Sequence, residues 1–310
     1  MKQPRRTDLL SPIHIGSVVN LLSCIEAQAA RLTEAGVSFG HGTLNAFDEA
    51  AWLLLWRLGL PLDALAEHEL QELSADDLAR IEALIELRIS SRKPAAYLTQ
   101  EAWLQGVAFY VDERAIVPRS LIAELIADAS IDAWLPESTS LVLDLCTGNG
   151  SLAVLAALAW PEVQIDAVDL SAEALQVARI NVDRHGLQAR IKLAQGDGLA
   201  PVAGRRYDLI LCNPPYVNAS SMATLPKEYL TEPQLALAGG ADGMDFVRQL
   251  LAQASEHLTE HGVLLLEIGN EHEFFEAAFP QLELAWMETS AGEKQVLLVT
   301  QESMKKAAKP

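Results

Sequence analysis

Asn213-Pro214-Pro215-Tyr216, directly after the apolar run Tyr207 to Cys212, is the segment of this chain with the sharpest chemical content. A short apolar run ending in such residues reads as a strand whose carboxyl end meets a ligand, the usual place for a site in an open α/β sheet. The residue types suit one task. A planar amide nitrogen is a poor nucleophile because its lone pair is delocalised into the carbonyl. If the Asn213 side-chain oxygen and the Pro214 backbone carbonyl each accept one hydrogen of a substrate NH2, they orient the nitrogen and favour the electron-rich geometry of a transition state. Proline restricts the backbone that aims the carbonyl, and Tyr216 can pack on a flat amide or base. Two hydrogens matched by two acceptors select planar NH2 groups: glutamine, adenine or cytosine.

A second constellation lies upstream, in Leu141-Val-Leu-Asp144-Leu-Cys146-Thr147-Gly148-Asn149-Gly150. It reads as a strand entering a glycine-containing turn and then a helix, where backbone can approach a ligand closely and the helix start offers amide groups. The dinucleotide fingerprint has three glycines and this turn has two, Gly148 and Gly150. Asp144 at the strand end can reach an ammonium group directly or through water, which suits the methionine moiety of S-adenosylmethionine. Asp169 closes the next apolar run, where a carboxylate can accept both ribose hydroxyls; it fits any adenosine ligand. Asp197, in Gln195-Gly196-Asp197-Gly198, is placed to accept from an adenine amino group, or is an ordinary solvated loop acid. The expected cofactor-contacting set is Asp144, Thr147, Gly148, Gly150, Asp169 and Asp197, with Asn213 at its edge.

These residues need elements to hold them. From Leu141 onward, short apolar runs alternate with helical segments: Leu141 to Leu145 then Leu152 to Trp160, Val163 to Val168 then Glu173 to His185, Ile191 to Ala194, Tyr207 to Cys212, Phe246 to Leu258, Val263 to Ile268 and Phe274 to Phe279. Buried strands alternating with helices predict a parallel, doubly wound α/β sheet. The last runs, Leu282 to Met287 and Gln295 to Thr300, predict an antiparallel closing pair. Before the sheet, the first ~90 residues read as helices: Val18 to Glu34 ended by Gly36, Phe47 to Leu58 ended by Gly59, and one after Ser74, with Ser74 and Asp77 spaced as a capping pair. Between Pro94 and Arg119, β-branched and aromatic residues broken by Gly106 predict a hairpin linker. Met304 to Pro310 reads as a mobile tail.

With a formal net charge of −19 the chain repels polyphosphate, and its basic clusters are confined to Lys2 to Arg6 and Lys305 to Lys309. Nucleic-acid tracking would need a basic stripe; a basic protein partner suits the acidity, although acidity also serves solubility. The start resembles a signal peptide, but His14, Asn20 and Glu26 interrupt its apolar stretch. No run approaches ~18 uninterrupted apolar residues, so no membrane span is expected. Cys24, Cys146 and Cys212 are too irregularly spaced for a zinc site and too few for a disulfide framework, which fits a reducing cytoplasm; no metal is expected.

Taken together, the motifs resemble the glutamine N-methyltransferases that modify translation proteins. The shared residues are Asn213 to Tyr216, Pro94-Ala-Ala-Tyr97-Leu98, Val117-Pro118-Arg119 with Glu124, and Glu232-Pro233-Gln-Leu-Ala-Leu followed by Gly239-Gly240 and Asp242-Gly243, and the similarity runs from about Phe39 to Thr300. Gly40-His41-Gly42-Thr43, Asp48-Glu49-Ala50, Tyr110-Val-Asp-Glu-Arg114 and Arg119-Ser120 resemble the branch acting on large-subunit ribosomal protein three rather than the release-factor branch. The resemblance implies a class I (Rossmann-like) methyltransferase sheet with S-adenosylmethionine as cofactor. It implies a helical substrate-recognition domain over 1–93, a linker over 94–119, a catalytic domain over 120–302 and a tail over 303–310. Asn213, Pro214 and Tyr216 would be catalytic, and Pro215, Arg119 and Glu232 would contact the substrate, a basic ribosomal protein that is free or within an assembling large subunit. Two departures stand out, Asn149 in the glycine turn and Ser290-Ala-Gly-Glu-Lys-Gln in the last turn. His41 reads as a helix-entry or packing histidine. No general base is required, since the methylated nitrogen is acidic once cationic. The rival readings are a release-factor enzyme, an adenine or cytosine amino-methyltransferase of nucleic acid, and a non-catalytic assembly factor.

Overall fold

The computed structural model describes residues 19–307. The helix start expected at Val18, the signal-like stretch up to that point, the Lys2 to Arg6 cluster and the last three residues lie outside the described residues.

The described part divides into two units: one up to Val37 and from Asn45 to Ser90, the other from Ser38 to Leu44 and from Ser91 onward. The first unit is helical: Leu21–Glu34, Ala46–Leu58, Leu65–His68 and Ala75–Ser91. Each long helix starts where a polar side chain satisfies an otherwise orphaned amide. Asn20 Oδ1 accepts from Ser23 N, Asn45 Oδ1 from Asp48 N, and Ser74 Oγ from Asp77 N. Leu21, Ile25, Leu32, Leu53, Leu54, Ile81 and Ile85 form its core. Among them Arg88 Nε donates to the buried Glu49 at 2.7 Å. The contiguous helical domain expected over 1–93 is corrected in two respects: Ser38–Leu44 and residues 91–93 fold with the other unit.

The second unit includes helix Ala95–Thr99, which the expected linker lacked. Tyr97 of this helix donates its buried hydroxyl to Ala115 O at 2.7 Å. Strands β1 (Ala102–Leu104) and β2 (Val107–Phe109) follow as an antiparallel hairpin. Its two turn residues, Gln105 (φ 49°) and Gly106 (φ 74°), both take the positive φ that a tight hairpin turn requires.

Strands β3 (Leu141–Leu145), β4 (Gln164–Asp169), β5 (Ile191–Gln195), β6 (Tyr207–Cys212), β7 (Leu258–Glu267), β8 (Ala285–Thr289) and β9 (Gly292–Thr300) form one sheet in the order β5-β4-β3-β6-β7-β9-β8. The first five in that order run parallel; β9 is antiparallel to both β7 and β8. Alternate residues serve two cores. Val142, Ile165, Leu209 and Val263 face one layer with helix Ser151–Ala159, while Leu143, Val168, Ile210 and Leu264 face the other with Val247, Leu250 and Phe275. The chain reverses its winding at β3, with β4 on one side and β6 on the other, which opens a crevice at the carboxyl ends. Leu145 pairs with Cys212, and Cys212 with Leu266. The next residues, Cys146, Asn213 and Glu267, therefore leave three neighbouring strands side by side.

Two sequence readings are corrected. The helical run expected over Phe246 to Leu258 ends at Gln253, and Leu258 already belongs to β7, paired with Tyr207. The tail expected to be mobile from Met304 forms helix Gln301–Ala307 instead. Gln301 is buried and donates to the carbonyls of Ser255 and Leu258, Ser303 Oγ donates to Glu283 O, and Met304 joins the core.

Candidate active site

One cavity of about 610 Å³ occupies the crevice. Its walls include Thr147, Gly148, Asp169, Asp197, Asn213, Pro214, Pro215, Tyr216 and Arg119, so nine of the expected site residues converge on one space. Asp144, Gly150 and Glu232 do not reach that wall, for physical reasons given below.

On the cofactor side, the turn after β3 alternates positive-φ positions: Cys146 (62°), Gly148 (56°) and Gly150 (81°). The Gly148 amide donates to Asp169 Oδ2 and the Ser171 amide to Asp169 Oδ1, each at 2.8 Å. Asp169 lines the cavity, and each of its oxygens has acceptor capacity beyond the one amide it takes. Burial pushes the Asp169 carboxyl up, against these amides. Gly150 answers a different demand. A Cβ there would sit 3.1 Å from Ala178 Cβ, so this glycine serves the approach of helix Ala172–Arg184, not the ligand. Asn181, fully buried on that helix, donates to Asn149 O and Tyr110 O and accepts from Tyr110 N, tying the turn to the segment after the hairpin. Asn149 contributes its side chain as well, with Oδ1 accepting from Ser151 N at 3.2 Å at the start of the following helix.

Asp144 is also corrected. It is fully buried behind the turn, where Oδ2 accepts from the Thr147 hydroxyl and from Ala153 N at 3.0 Å. Its Oδ1 has no partner among the described residues. Burial outweighs the two hydrogen bonds, and with the nearby Asp169 charge it pushes the carboxyl up to about 7. Asp144 shapes the turn and does not line the cavity.

On the amide side, Asn213 to Tyr216 leave β6 and line the cavity together. The strand-like pairing resumes at once, with Val217 N donating to Leu237 O and Gly239 N to Val217 O. Arg119 faces the cavity and grips Glu232 with both terminal nitrogens, each at 2.7 Å. Its guanidinium also lies 5.3 Å from the Tyr229 ring centroid. Glu232, expected to touch substrate, is 3% exposed. Its oxygens also take the Val117 amide at 3.0 Å, and His41 Nε2 lies 3.3 Å away. Burial alone would raise this carboxyl, but His41 and the charge and hydrogen bonds of Arg119 hold it down at about 2. Glu232 is therefore a buried anchor for Arg119. His41, buried, with its ring tilted at 50° and 4.3 Å from the Tyr229 ring centroid, packs against that anchor.

Residues the motifs did not single out also line the wall: Ile116, Tyr229, Glu267 and Asn270. Glu267 had one legible signal, an acid interrupting the apolar run Val263 to Ile268. The last turn reaches the cavity through Ala291 and Gln295. It is anchored by Ser290, whose amide and hydroxyl donate to Glu124, and by Gln295 Nε2 donating to Asn270 Oδ1 at 3.0 Å.

A doubly wound sheet of this strand order, with a glycine turn, an acid ending the next strand and an Asn-Pro-Pro-Tyr segment on one crevice, defines a class I methyltransferase whose methyl donor is S-adenosylmethionine. The methyltransferase small domain family matches residues 131–240. The ribosomal protein uL3 glutamine methyltransferase of Burkholderia pseudomallei is 53% identical over 279 residues, covering 87% of this chain and 91% of the relative. Its counterpart in Bordetella pertussis is 50% identical, covering 92% and 96%, and that of Bradyrhizobium diazoefficiens is 43% identical, covering 95% of each. The chain belongs to the family of ribosomal protein uL3 glutamine methyltransferases. Among the described residues no helix is long and apolar enough to cross a membrane.

Proposed function

We propose that this enzyme transfers the methyl group of S-adenosylmethionine to the side-chain amide nitrogen (N5) of a glutamine in ribosomal protein uL3. The observation that carries the reading is the register of Leu145 with Cys212, which sets the Asn213-Pro214 acceptors beside the cofactor turn at the same end of the sheet. When bound, S-adenosylmethionine supplies an electrophilic methyl group on its sulfonium. Asp169 would hold the ribose hydroxyls, Asp197 the adenine amino group, and Thr147 and Gly148 the amino-acid portion.

Asn213 Oδ1 and the Pro214 carbonyl would accept the two amide hydrogens of the target glutamine, orienting its nitrogen for in-line attack. Pro215 and Tyr216 would flank the flat amide, and Arg119 would meet the polypeptide around it. The proton of the cationic product leaves to water without a dedicated base. A basic ribosomal protein, alone or within an assembling large subunit in the cytoplasm, complements the net charge of −19.

The test incubates the full chain with tritiated S-adenosylmethionine and, separately, uL3, a release factor, RNA and DNA, followed by peptide mass spectrometry. One added methyl on a uL3 glutamine is expected. Label on a nucleic-acid base, or on the release factor alone, would refute the assignment.

A further inference from the structure

The geometry points to Glu267 as a positioning residue that locks the Tyr216 ring for the reaction proposed above, on which this inference rests. A ring that sandwiches a planar amide orients it only if its own torsions are fixed. Three glycines restrict Tyr216 from its surroundings. A Cβ at Gly269 (φ +54°) would come within 2.5 Å of the Tyr216 ring, and one at Gly239 within 2.7 Å of its Cα. A Cβ at Gly243 would collide with its carbonyl oxygen. Gly239 and Gly243 belong to the Gly239-Gly240…Asp242-Gly243 stretch, whose small residues thereby acquire a purpose.

Close packing of this kind confines the backbone and one side of the ring; the hydroxyl end needs a partner. Tyr216 donates its hydroxyl to Glu267 Oε1 at 3.0 Å. Oε2 of the same carboxylate accepts from Ser120 Oγ at 2.6 Å and from Leu121 N at 2.9 Å. Those donors come from the segment after Arg119, not from the Tyr216 loop, so the carboxylate stays fixed independently of the ring it holds. An ionised carboxylate can accept all three hydrogens at once; an amide in its place would offer a donor to one of them. Glu267 ends β7 next to the end of β6, is 3% exposed and borders the cavity. Burial raises its carboxyl, and the three donors oppose that rise. The result is a chain of contacts, Ser120 to Glu267 to Tyr216, ending on the face that the target amide meets.

The experiment compares kcat, KM for uL3, cofactor dissociation constant and melting temperature for wild type, Tyr216→Phe, Glu267→Gln and the double variant. Loss of a hydrogen bond to a charged group corresponds to about a tenfold change or more. Each single variant is therefore expected to lower kcat about tenfold, with cofactor affinity within about twofold of wild type. The double variant should be no slower than the worse single one, because both break the same link. Ser120→Ala, which keeps both partners, should lower kcat severalfold in the wild-type background and not at all with Phe at position 216. Additive losses, a Tyr216→Phe enzyme with wild-type kcat, or losses seen only as weaker cofactor binding or lower melting temperature would overturn the inference while leaving glutamine methylation intact. A wild-type enzyme that transfers no methyl to glutamine would overturn both.

Discussion

The two halves of the cavity are built by different means. The cofactor half is made of backbone: positive-φ residues at 146, 148 and 150, amides of Gly148 and Ser171 aimed at Asp169, and a buried Asp144 that supports the turn from behind. The amide half is made of side chains that meet across long stretches of sequence: Arg119 on Glu232 with His41 beneath, and Tyr216 on Glu267 with Ser120 behind. A backbone cradle tolerates side-chain change. A side-chain network tolerates little, because removing one member leaves its buried partners unsatisfied.

The largest effect should therefore come from the amide half. Asn213→Ala removes one of two preorganised acceptors, and deletions of comparable transition-state groups cost on the order of a hundred- to a thousandfold in kcat. Cofactor affinity should stay near wild type, since the assigned role faces the target amide. Single-turnover transfer and calorimetry on the same preparation separate the two; near-normal turnover would remove Asn213 from the clamp.

Next comes Glu232→Ala, which leaves the Arg119 guanidinium and the buried His41 without their common partner. Breaking a buried pair costs about 3 to 5 kcal/mol, and the lower end applies because Arg119 is still 26% exposed at the cavity. Urea unfolding should report it, and a change below about 1 kcal/mol would mean that Glu232 anchors nothing. The same pair sets an acid limit. Because the Glu232 carboxyl is held at about 2 when folded, against an ordinary 4.5, its contribution is complete above that ordinary value and lost as pH falls toward 2.

The contrast also explains what could be read from sequence. Strands β3 and β6 match their apolar runs end for end, and the turn and Asn-Pro-Pro-Tyr stand out because each is contiguous and follows a buried strand. Residues 41, 119, 232 and 267 carry no mutual spacing, so their meeting depends on sheet register and loop packing. The first half of β7 was illegible because Thr259, Glu260 and His261 lack strand-like alternation; pairing of Leu258 with Tyr207 imposes the conformation. Helix Gln301–Ala307 was illegible because its charged residues look solvated, while Gln301, Ser303 and Met304 carry its docking. Gly150 and Asp144 lie in the turn motif but serve packing behind the ligand wall, a distinction that requires a third dimension.

A smaller effect belongs to the cofactor half. Asp169→Ala removes a carboxylate assigned to two ribose hydroxyls, and charge-assisted hydrogen bonds of this kind contribute about 1.5 to 3 kcal/mol. That corresponds to about ten- to a hundredfold in the dissociation constant of S-adenosylmethionine. Calorimetry finding unchanged affinity would take Asp169 out of the site and would leave the backbone cradle alone to explain binding.

The last effect is a change of slope rather than of level, and it concerns the acid behind the turn. Folding raises the Asp144 carboxyl from an ordinary 3.8 to about 7, through burial against only two donors. Between those two values the folded protein holds a proton that the unfolded chain has released. Stability from this group is thus complete below the ordinary carboxylate value and declines as pH rises toward 7, by no more than one proton's worth, about 1.4 kcal/mol per pH unit. Its sign is opposite to that of Glu232, whose contribution is lost on acidification. Asp144→Asn cannot ionise, so the variant should flatten the decline between pH 5 and 7 expected in thermal melts of the wild type, leaving the acid limb set by Glu232 in place. Parallel melting curves for the two proteins across that range would mean that Asp144 is already ionised in the folded state. Its unpartnered oxygen would then have to be satisfied by a donor from the cofactor side of the turn.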